Sequence, residues 1–466
     1  MNRRNRFAAL VVLLACFTAP RAEPPTKAEL VAAGSLFFKS GISRSEGRID
    51  RWTKQPYQVY NVPTTMLRMK GLSNLPNVGI EFGLTFDRGA MPNASLKELA
   101  ALDNLTVLDM SNLDVSELAL PDLKLFPKLE TVILGGGKLI GDKGMKGVAG
   151  CKKLKSLDVY ATSVTAAGLM ELAACPSLDF LRVGRTGVPV AAVPGLKGLE
   201  VVGPFQVSAA QMKEWRGLKN LTHLHLPNCT LTEGAMAELA GMKQLVSLDL
   251  SGTNAVDGGL KALAALPALE VLHLNNTRVS NLGVKDLAGV RTLREVTLHE
   301  TRGGEAGLAA VAEMPLIQQC TVSPQAITNG VLKTLAQAKR LHILQHPDFT
   351  RGRVAAVVPR SEEEVKSLYL ANSAVTDAGL AELKGLTGLE MLWLEKTAVT
   401  DKGMVHVAAL RGLKRLMLIG TKVTDKGLLE LAPLDSLENI AVRGGAITAA
   451  GALAFRKLNP ACQVER

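Results

Sequence analysis

A segment of 24 residues recurs in register along most of this chain, and a fixed period of that length leaves few architectures open. The copy that begins at Leu389 shows the pattern: apolar Leu389, Leu392 and Leu394, a polar corner at Thr397, then Val399 and Thr400-Asp401 opening a short helix. Aligning the leading apolar residue gives Leu105, Leu129, Leu154, Leu178, Leu199, Leu221, Leu245, Leu269, Leu293, Ile317, Leu341, Val365, Leu389, Leu413 and Leu437. The steps are 24, 25, 24, 21 and 22, then 24 nine times running, which is the signature of a solenoid.

Within a unit the fourth and sixth positions, such as Leu224 and Leu226, are expected to point inward from a short strand. The third and fifth then face the other way by period-two alternation. The ninth position is Thr or a similar small residue, as at Thr253, Thr277 and Thr397, whose hydroxyl can bond the backbone of the turn. Thr400 and Thr424, each followed by Asp, are expected to cap short helices and to place an acid in the first turn. Leu380, Leu383 and Leu386 fall on one face of such a helix. Only neighbouring units can cover these strand and helix faces, so stability must come from stacking.

The run L-x-x-L-x-L-x-x-T-x-V-T-D-x-G-L resembles the leucine-rich repeat family, in a bacterial-type secreted subgroup with T-D-x-G-L after the strand. The resemblance covers roughly residues 78 to 462. It implies an α/β fold, a right-handed leucine-rich repeat solenoid or horseshoe with a parallel concave sheet and convex helices. It further implies binding of other macromolecules, usually proteins, without catalysis or cofactor, and it names no partner.

In chain order, Met1 to Ala22 has a basic start and an apolar run from Phe7 to about Phe17, too short to span a bilayer and typical of an export signal. Leu13-Leu14-Ala15-Cys16 resembles a lipoprotein box, with Leu14 larger than usual. Cleavage after Ala22 or Ala19 puts Pro20 or Phe17 where a small residue is wanted, so a free and a lipid-anchored exported chain both stay open. Residues 23–77 are expected to cap the solenoid: a helix from Thr26 to Lys39, then an irregular or short-stranded stretch. There Arg44, Arg48, Arg51 and Lys54 lie near Trp52, Tyr57 and Tyr60. Glu46 and Asp50 interrupt the basic run, which favours a solvated cap over a nucleic-acid patch. The array is expected over 78–458. It is irregular at 199–220, where Gly203-Pro204 suggests a missing helix, and at 345–364, where the T-D-x-G-L signature is lost. The period favours a degenerate unit there over a joint or contact loop. Residues 459–466 should close the array, with Pro460 ending the last helix.

Composition fits small repeated layers of Leu, Val and Ala: 47% of residues are hydrophobic and only 4% aromatic. The net charge of +11 falls by four if Arg3, Arg4, Arg6 and Arg21 leave with a signal. Its Lys and Arg residues are spread through the repeats, as solubility requires, although a basic chain also suits acidic partners, envelope polymers or anionic surfaces. Cys229 and Cys320 read as buried small hydrophobes. Cys151 and Cys175 occupy one slot of adjacent units, where a bridge stays open, and no spacing suits a metal finger.

Function is expected on the concave face of the sheet, where equivalent positions of successive units stack about 5 Å apart. The fifth position reads Asp109, Ile133, Asp158, Arg182, Gly203, His225, Asp249, His273, Thr297, Thr321, Gln345, Tyr369, Trp393, Met417 and Ala441. Tyr369, Trp393 and Met417, flanked by Met391, Glu395, Arg415 and Arg443, place aromatic and thioether groups on a solvated surface, as protein-binding hot spots do. Partial mutual cover is the alternative. His225, Asp249 and His273, with His223, Glu295 and His299 near, suggest a hydrogen-bonded polar ladder, with a divalent metal or a pH-sensitive contact as the sharper readings. No nucleophile, phosphate loop or metalloprotease motif occurs. Gly135-Gly136-Gly137 sits at a turn after a strand. The readings are then a protein-binding scaffold, a binder of envelope polymer or anionic surface, and an enzyme built on the histidine row, in that order.

Overall fold

Most of the described repeats form one coil: a short strand, a tight corner, and a short α-helix or 3-10 turn that returns the chain to the next strand. The computed structural model describes residues 33, 35–37, 43–44, 58–63, 65–66, 72–111, 113–184, 193–344, 358–444 and 446–466. The export signal, Cys16, the basic residues at 48, 51 and 54, Thr186, and the stretch from Gln345 to residue 357 lie outside the described residues. A 13-stranded sheet runs from Ser43–Arg44 to Gln319–Val322, and a 5-stranded sheet from Ser367–Tyr369 to Gln463–Glu465. Every pairing in the two is parallel except the first, Ser43–Arg44 against Val59–Val62, which caps the array with a reversed strand. The result is an α/β leucine-rich repeat solenoid.

The strand register explains the core. Leu224, Leu248, Leu272 and Val296 pair in sequence across four strands, and Leu226, Leu250 and Leu274 follow at the sixth position, all fully buried. Each such side chain withdrawn from water contributes about 1.5–3 kcal/mol. The layer is one residue deep from unit to unit, which is why nearly every inward position is Leu, Val or Ile.

The corner is built by two adjacent positions. The eighth residue adopts left-handed backbone, as at Asn228 (φ 61), Asn372 (φ 58), Gly252 (φ 68) and Gly420 (φ 68), conformations that Gly and Asn enter at least cost. At the ninth, the hydroxyl donates back to a carbonyl three residues earlier: Thr253 to Leu250 at 2.6 Å, Thr397 to Leu394 at 2.7 Å, Thr421 to Leu418 at 2.8 Å. This bond closes the turn from inside the core, where the threonines are buried.

Thr400 and Thr424 cap their helices as expected, accepting from the amides of Lys402 and Lys426. The Asp that follows does more than favour the helix dipole. Asp401 accepts both the amide and the hydroxyl of Thr424 in the next unit, each at 2.7 Å. The same pair of bonds links Asp142 to Thr165, Asp257 to Ser280, Asp377 to Thr400 and Asp425 to Thr448. The Gly two residues further on leaves room for it: a methyl at Gly403, Gly427 or Gly451 would overlap the carboxylate of the preceding unit. T-D-x-G is thus a clamp between units, and its three residues are needed together.

The clamp has a pH signature. Bonds from Thr165 hold Asp142 below the usual carboxylate range, those from Thr448 do the same for Asp425, and those from Ser280 outweigh burial at Asp257. A carboxylate whose folded pKa is depressed stabilises the fold above its unfolded pKa of roughly 3.9, and that stability is lost as pH falls through the folded value. Thermal midpoints should therefore drop steeply below about pH 4, and a Thr448→Val variant should show a shallower drop because Asp425 loses one donor. Parallel curves for the two proteins would remove the clamp from the account.

Three expectations need correction. The strand Gly198–Val201 pairs Leu199 with Leu181 and with Leu224, so Leu199 holds a fourth position, and Leu196 leads the unit. The short unit is consequently the one before it. The 199–220 unit carries a seven-residue helix, Ala209–Trp215, with Ser208 and Gln211 forming a reciprocal capping box and Trp215 fully buried. The outward-facing Glu200 is buried, which blurred the alternation on which the register rested. At the other end of the chain, Val59–Val62 already pairs in parallel with Phe82–Phe86. Tyr60 therefore stands in the inward row, buried, its ring 4.2 Å from Phe37, and belongs to no surface patch.

The Leu341 unit differs from its neighbours in its described residues, and residues 345–357 lie outside them. Its described residues form the 3-10 turns Leu341–Ile343 and Glu362–Glu364 and one bridge from Leu344 to Cys320. The helices on either side of it, Asn329–Gln337 and Asp377–Leu380, meet directly. The Asn329 side chain accepts the Thr376 amide at 2.9 Å and donates to its hydroxyl at 2.7 Å, making across 47 residues the clamp that elsewhere spans one period. Cys151, Cys175, Cys229, Cys320 and Cys462 are all free and buried, and burial pushes the Cys151 and Cys320 thiols up to about 12.

Candidate functional site

The outer row of fifth-position residues falls into three stretches of different chemistry. In the first, Asp158, Arg182 and Glu200 pair side by side on consecutive strands. Arg182 Nη1 lies 2.8 Å from Asp158 Oδ2, and its Nε lies 3.2 Å from Glu200 Oε1. Its guanidinium carbon sits 4.5 Å from the centre of the Tyr160 ring. Burial by itself would lower the Arg182 pKa, but the two carboxylates outweigh it and hold the cation. One cation bridging two flanking acids in a strand row is a structural ion triad. Glu200 was hidden in the sequence by the shifted register, and Gly203, assigned to this place, lies beyond the strand in a left-handed turn. The 25-residue step from Leu196 to Leu221 is the signal that finds it.

In the second stretch, His225, Asp249 and His273 do stack in register. Each of them has a hydroxyl or amide partner. His225 Nε2 shares a hydrogen bond with Ser247 Oγ at 3.1 Å, His273 Nδ1 with Thr297 Oγ1 at 3.2 Å, and Asp249 accepts from the Ser251 amide at 2.8 Å. His223 bonds the Thr222 hydroxyl at 2.9 Å, and His299 Nε2 stands 3.6 Å from Glu300. Among the described residues no three His, Cys, Asp or Glu converge to hold a metal.

The third stretch is the start of the five-stranded sheet. Tyr369, Trp393, Met417 and Ala441 pair in order in one outer row, and Met391, Arg415 and Asn439 in the next. The rings of Tyr369 and Trp393 have centroids 6.1 Å apart and planes tilted by 40°, so each covers part of the other. Both remain half-buried, as do Met391 and Met417, while Arg415 and Arg443 are exposed. Glu395 sits at the end of the Trp393 strand, and its Oε2 is buried without a hydrogen bond. Burial raises its pKa against the opposing pull of its own backbone amide and of Lys396, and burial together with Glu395 raises that of Tyr369. On one edge Glu390 bridges Lys366 at 3.2 Å and Lys414 at 2.9 Å. Aromatic and thioether groups thus stand in a shallow row with charges on its margins.

No protein-family model matches the chain, and no curated protein does. Among solved structures it is similar to a leucine-rich repeat protein of Leptospira interrogans, with 17% identity, a TM-score of 0.47, and coverage of 86% of this chain and 92% of that one. It is also similar to an internalin of Listeria monocytogenes, at 16% identity and TM-score 0.43, covering 68% of this chain and 82% of the internalin. A third is the leucine-rich repeat ectodomain of a membrane receptor kinase of Arabidopsis thaliana, solved in complex with CASPARIAN STRIP INTEGRITY FACTOR 2. It has 14% identity and a TM-score of 0.43, with 90% of this chain and 51% of that ectodomain covered.

Proposed function

We propose that this chain, a leucine-rich repeat solenoid, is a non-catalytic scaffold that is exported and binds a protein partner through the outer face of its second sheet. Tyr369, Met391, Trp393 and Met417 form the apolar centre, and Glu395 and Arg415 the charged rim. The observation that carries this reading is the half-exposed Tyr369–Trp393–Met417 row. An aromatic left partly in water on a flat strand surface costs free energy that a partner recovers by covering it. The His225, Asp249 and His273 row then serves as a second polar contact strip, with no metal. Residues 1–22 act as the export signal in this reading, with the lipid on Cys16 as the alternative to a free exported form. The 23–77 segment closes the first end of the array.

The test is a pull-down from the envelope fraction of the exporting cell at low and high salt, comparing the native chain with Trp393→Ala of equal thermal stability. Retention of one protein that survives salt, weakened about tenfold or more by the substitution, is the expected result. Capture that salt abolishes and that Trp393→Ala leaves intact would instead favour an anionic envelope polymer bound through the basic charge.

A further inference from the structure

We propose that the helix face of the last three units docks on an anionic lipid bilayer surface. The helices Asp401–Val407, Asp425–Glu430 and Ala449–Leu458 lie side by side, joined by the clamps of Thr424 to Asp401 and Thr448 to Asp425. Four residues after each helix start, on the side away from the sheet, stand Val405, Leu429 and Leu453, with 56%, 38% and 58% of their surface in water. Leu458 at the end of the last helix is 62% exposed. The equivalent place in earlier helices holds exposed Lys146, Lys261, Lys285 and Lys333, with Met170, Ala309 and Ala381 in others. Among the described residues, a position that is often a solvated lysine thus becomes aliphatic in three consecutive units at this end of the array.

The flanks of the stripe decide what covers it. Lys402 and Lys426, one turn earlier on the same helix faces, are exposed, and so are Arg456 and Lys457 beside Leu458. The acids of the first turns, Asp401 and Asp425, are held in the clamps, which leaves Glu430 as the exposed acid in these helices. A protein interface concentrates aromatic residues and depletes lysine at its centre. Here the centre is aliphatic with no aromatic residue and the margin is lysine, whose stems lie along an apolar surface while the ammonium reaches outward to phosphate. Three helices held in one layer also offer several aliphatic side chains to one surface at once. Among the described residues no helix is long and apolar enough to cross a membrane, so the contact is to the surface of the bilayer. It lies on the side opposite the Tyr369–Trp393 row, so either site can fail without the other, and it does not require lipid on Cys16.

The test uses the full chain with Cys16→Ser, carrying an environment-sensitive dye on Leu453→Cys or, as a control, on Lys285→Cys. The native thiols described above are buried and do not compete for the dye. With vesicles of phosphatidylcholine containing roughly one-third phosphatidylglycerol, the dye at 453 should shift to the blue and the dye at 285 should not. Pure phosphatidylcholine should give little shift, and Lys402→Glu with Lys426→Glu should weaken the response about tenfold. No shift at 453, an equal shift at 285, or indifference to the lysine changes overturns the proposal. So does a shift at 453 that grows with protein concentration without vesicles, because the stripe is then the contact with a second copy of the chain.

Discussion

Alanine at Gly427 lowers the stability of this protein by about 2–4 kcal/mol, although Gly→Ala inside a helix ordinarily raises it by up to about 1 kcal/mol. The reversal follows from the clamp. An added methyl at Gly427 overlaps Asp401 Oδ1 and stands 2.9 Å from the Asp401 Cα and 2.9 Å from Val423 Cγ1. The carboxylate oxygen can rotate away, but the Cα is backbone and cannot, so the two helices must separate. Separation breaks the bonds from the Thr424 amide and hydroxyl to Asp401, both to a charged acceptor and each worth about 1.5–3 kcal/mol when made. Gly258 supplies the control: it also lies in a helix, and no atom is found within 4 Å of the methyl it would gain. Gly258→Ala should be neutral or slightly stabilising. Chemical denaturation of both variants measures the difference, and equal midpoints would falsify the clamp as the reason for these glycines.

Arg182→Met should cost about 2–4 kcal/mol at neutral pH and less as the pH falls. Methionine keeps an apolar stem against Tyr160 but withdraws the cation between Asp158 and Glu200, whose side chains are only 17% and 3% exposed. Two carboxylates then face each other in a poorly hydrated row, and both effects raise their folded pKa above the unfolded value. A carboxylate with a raised folded pKa binds its proton more tightly in the folded state. The penalty is thus full above the raised pKa and fades as pH falls through it. Glu200→Gln in the Arg182→Met background should recover a large part of the loss at neutral pH. If it recovers nothing, the ion triad is not what Arg182 contributes.

The period, the inward Leu positions and the Thr corner were legible because each depends on a residue type at one spacing and recurs too often for local variation to hide it. Thr397, Thr421 and Thr424 make the bonds their positions suggested. The register failed at Leu199 because Glu200, an outward residue, is buried between neighbours from other units, so burial no longer followed the alternation. Tyr60 was misplaced for a related reason: a polar-tipped aromatic beside arginines reads as surface until its stacking on Phe37 is seen. The aromatic row at Tyr369, Trp393 and Met417 was readable from position alone, whereas the tilt and mutual cover of its rings were not.

A regular repeat lets the sequence determine by itself that the chain coils, which faces turn inward and which residues share a row, because periodicity converts spacing directly into direction. Whether neighbours in a row bond, repel or shield one another depends on distances of a few tenths of an ångström between units, and these come only from how the units stack. That is why Asp401 could be placed in the sequence as a helix-terminal acid, and only the packed structure reveals it as the grip on Thr424 of the next turn. It is also why the grip of Asn329 on Thr376, 47 residues further on, appears in no count of residues.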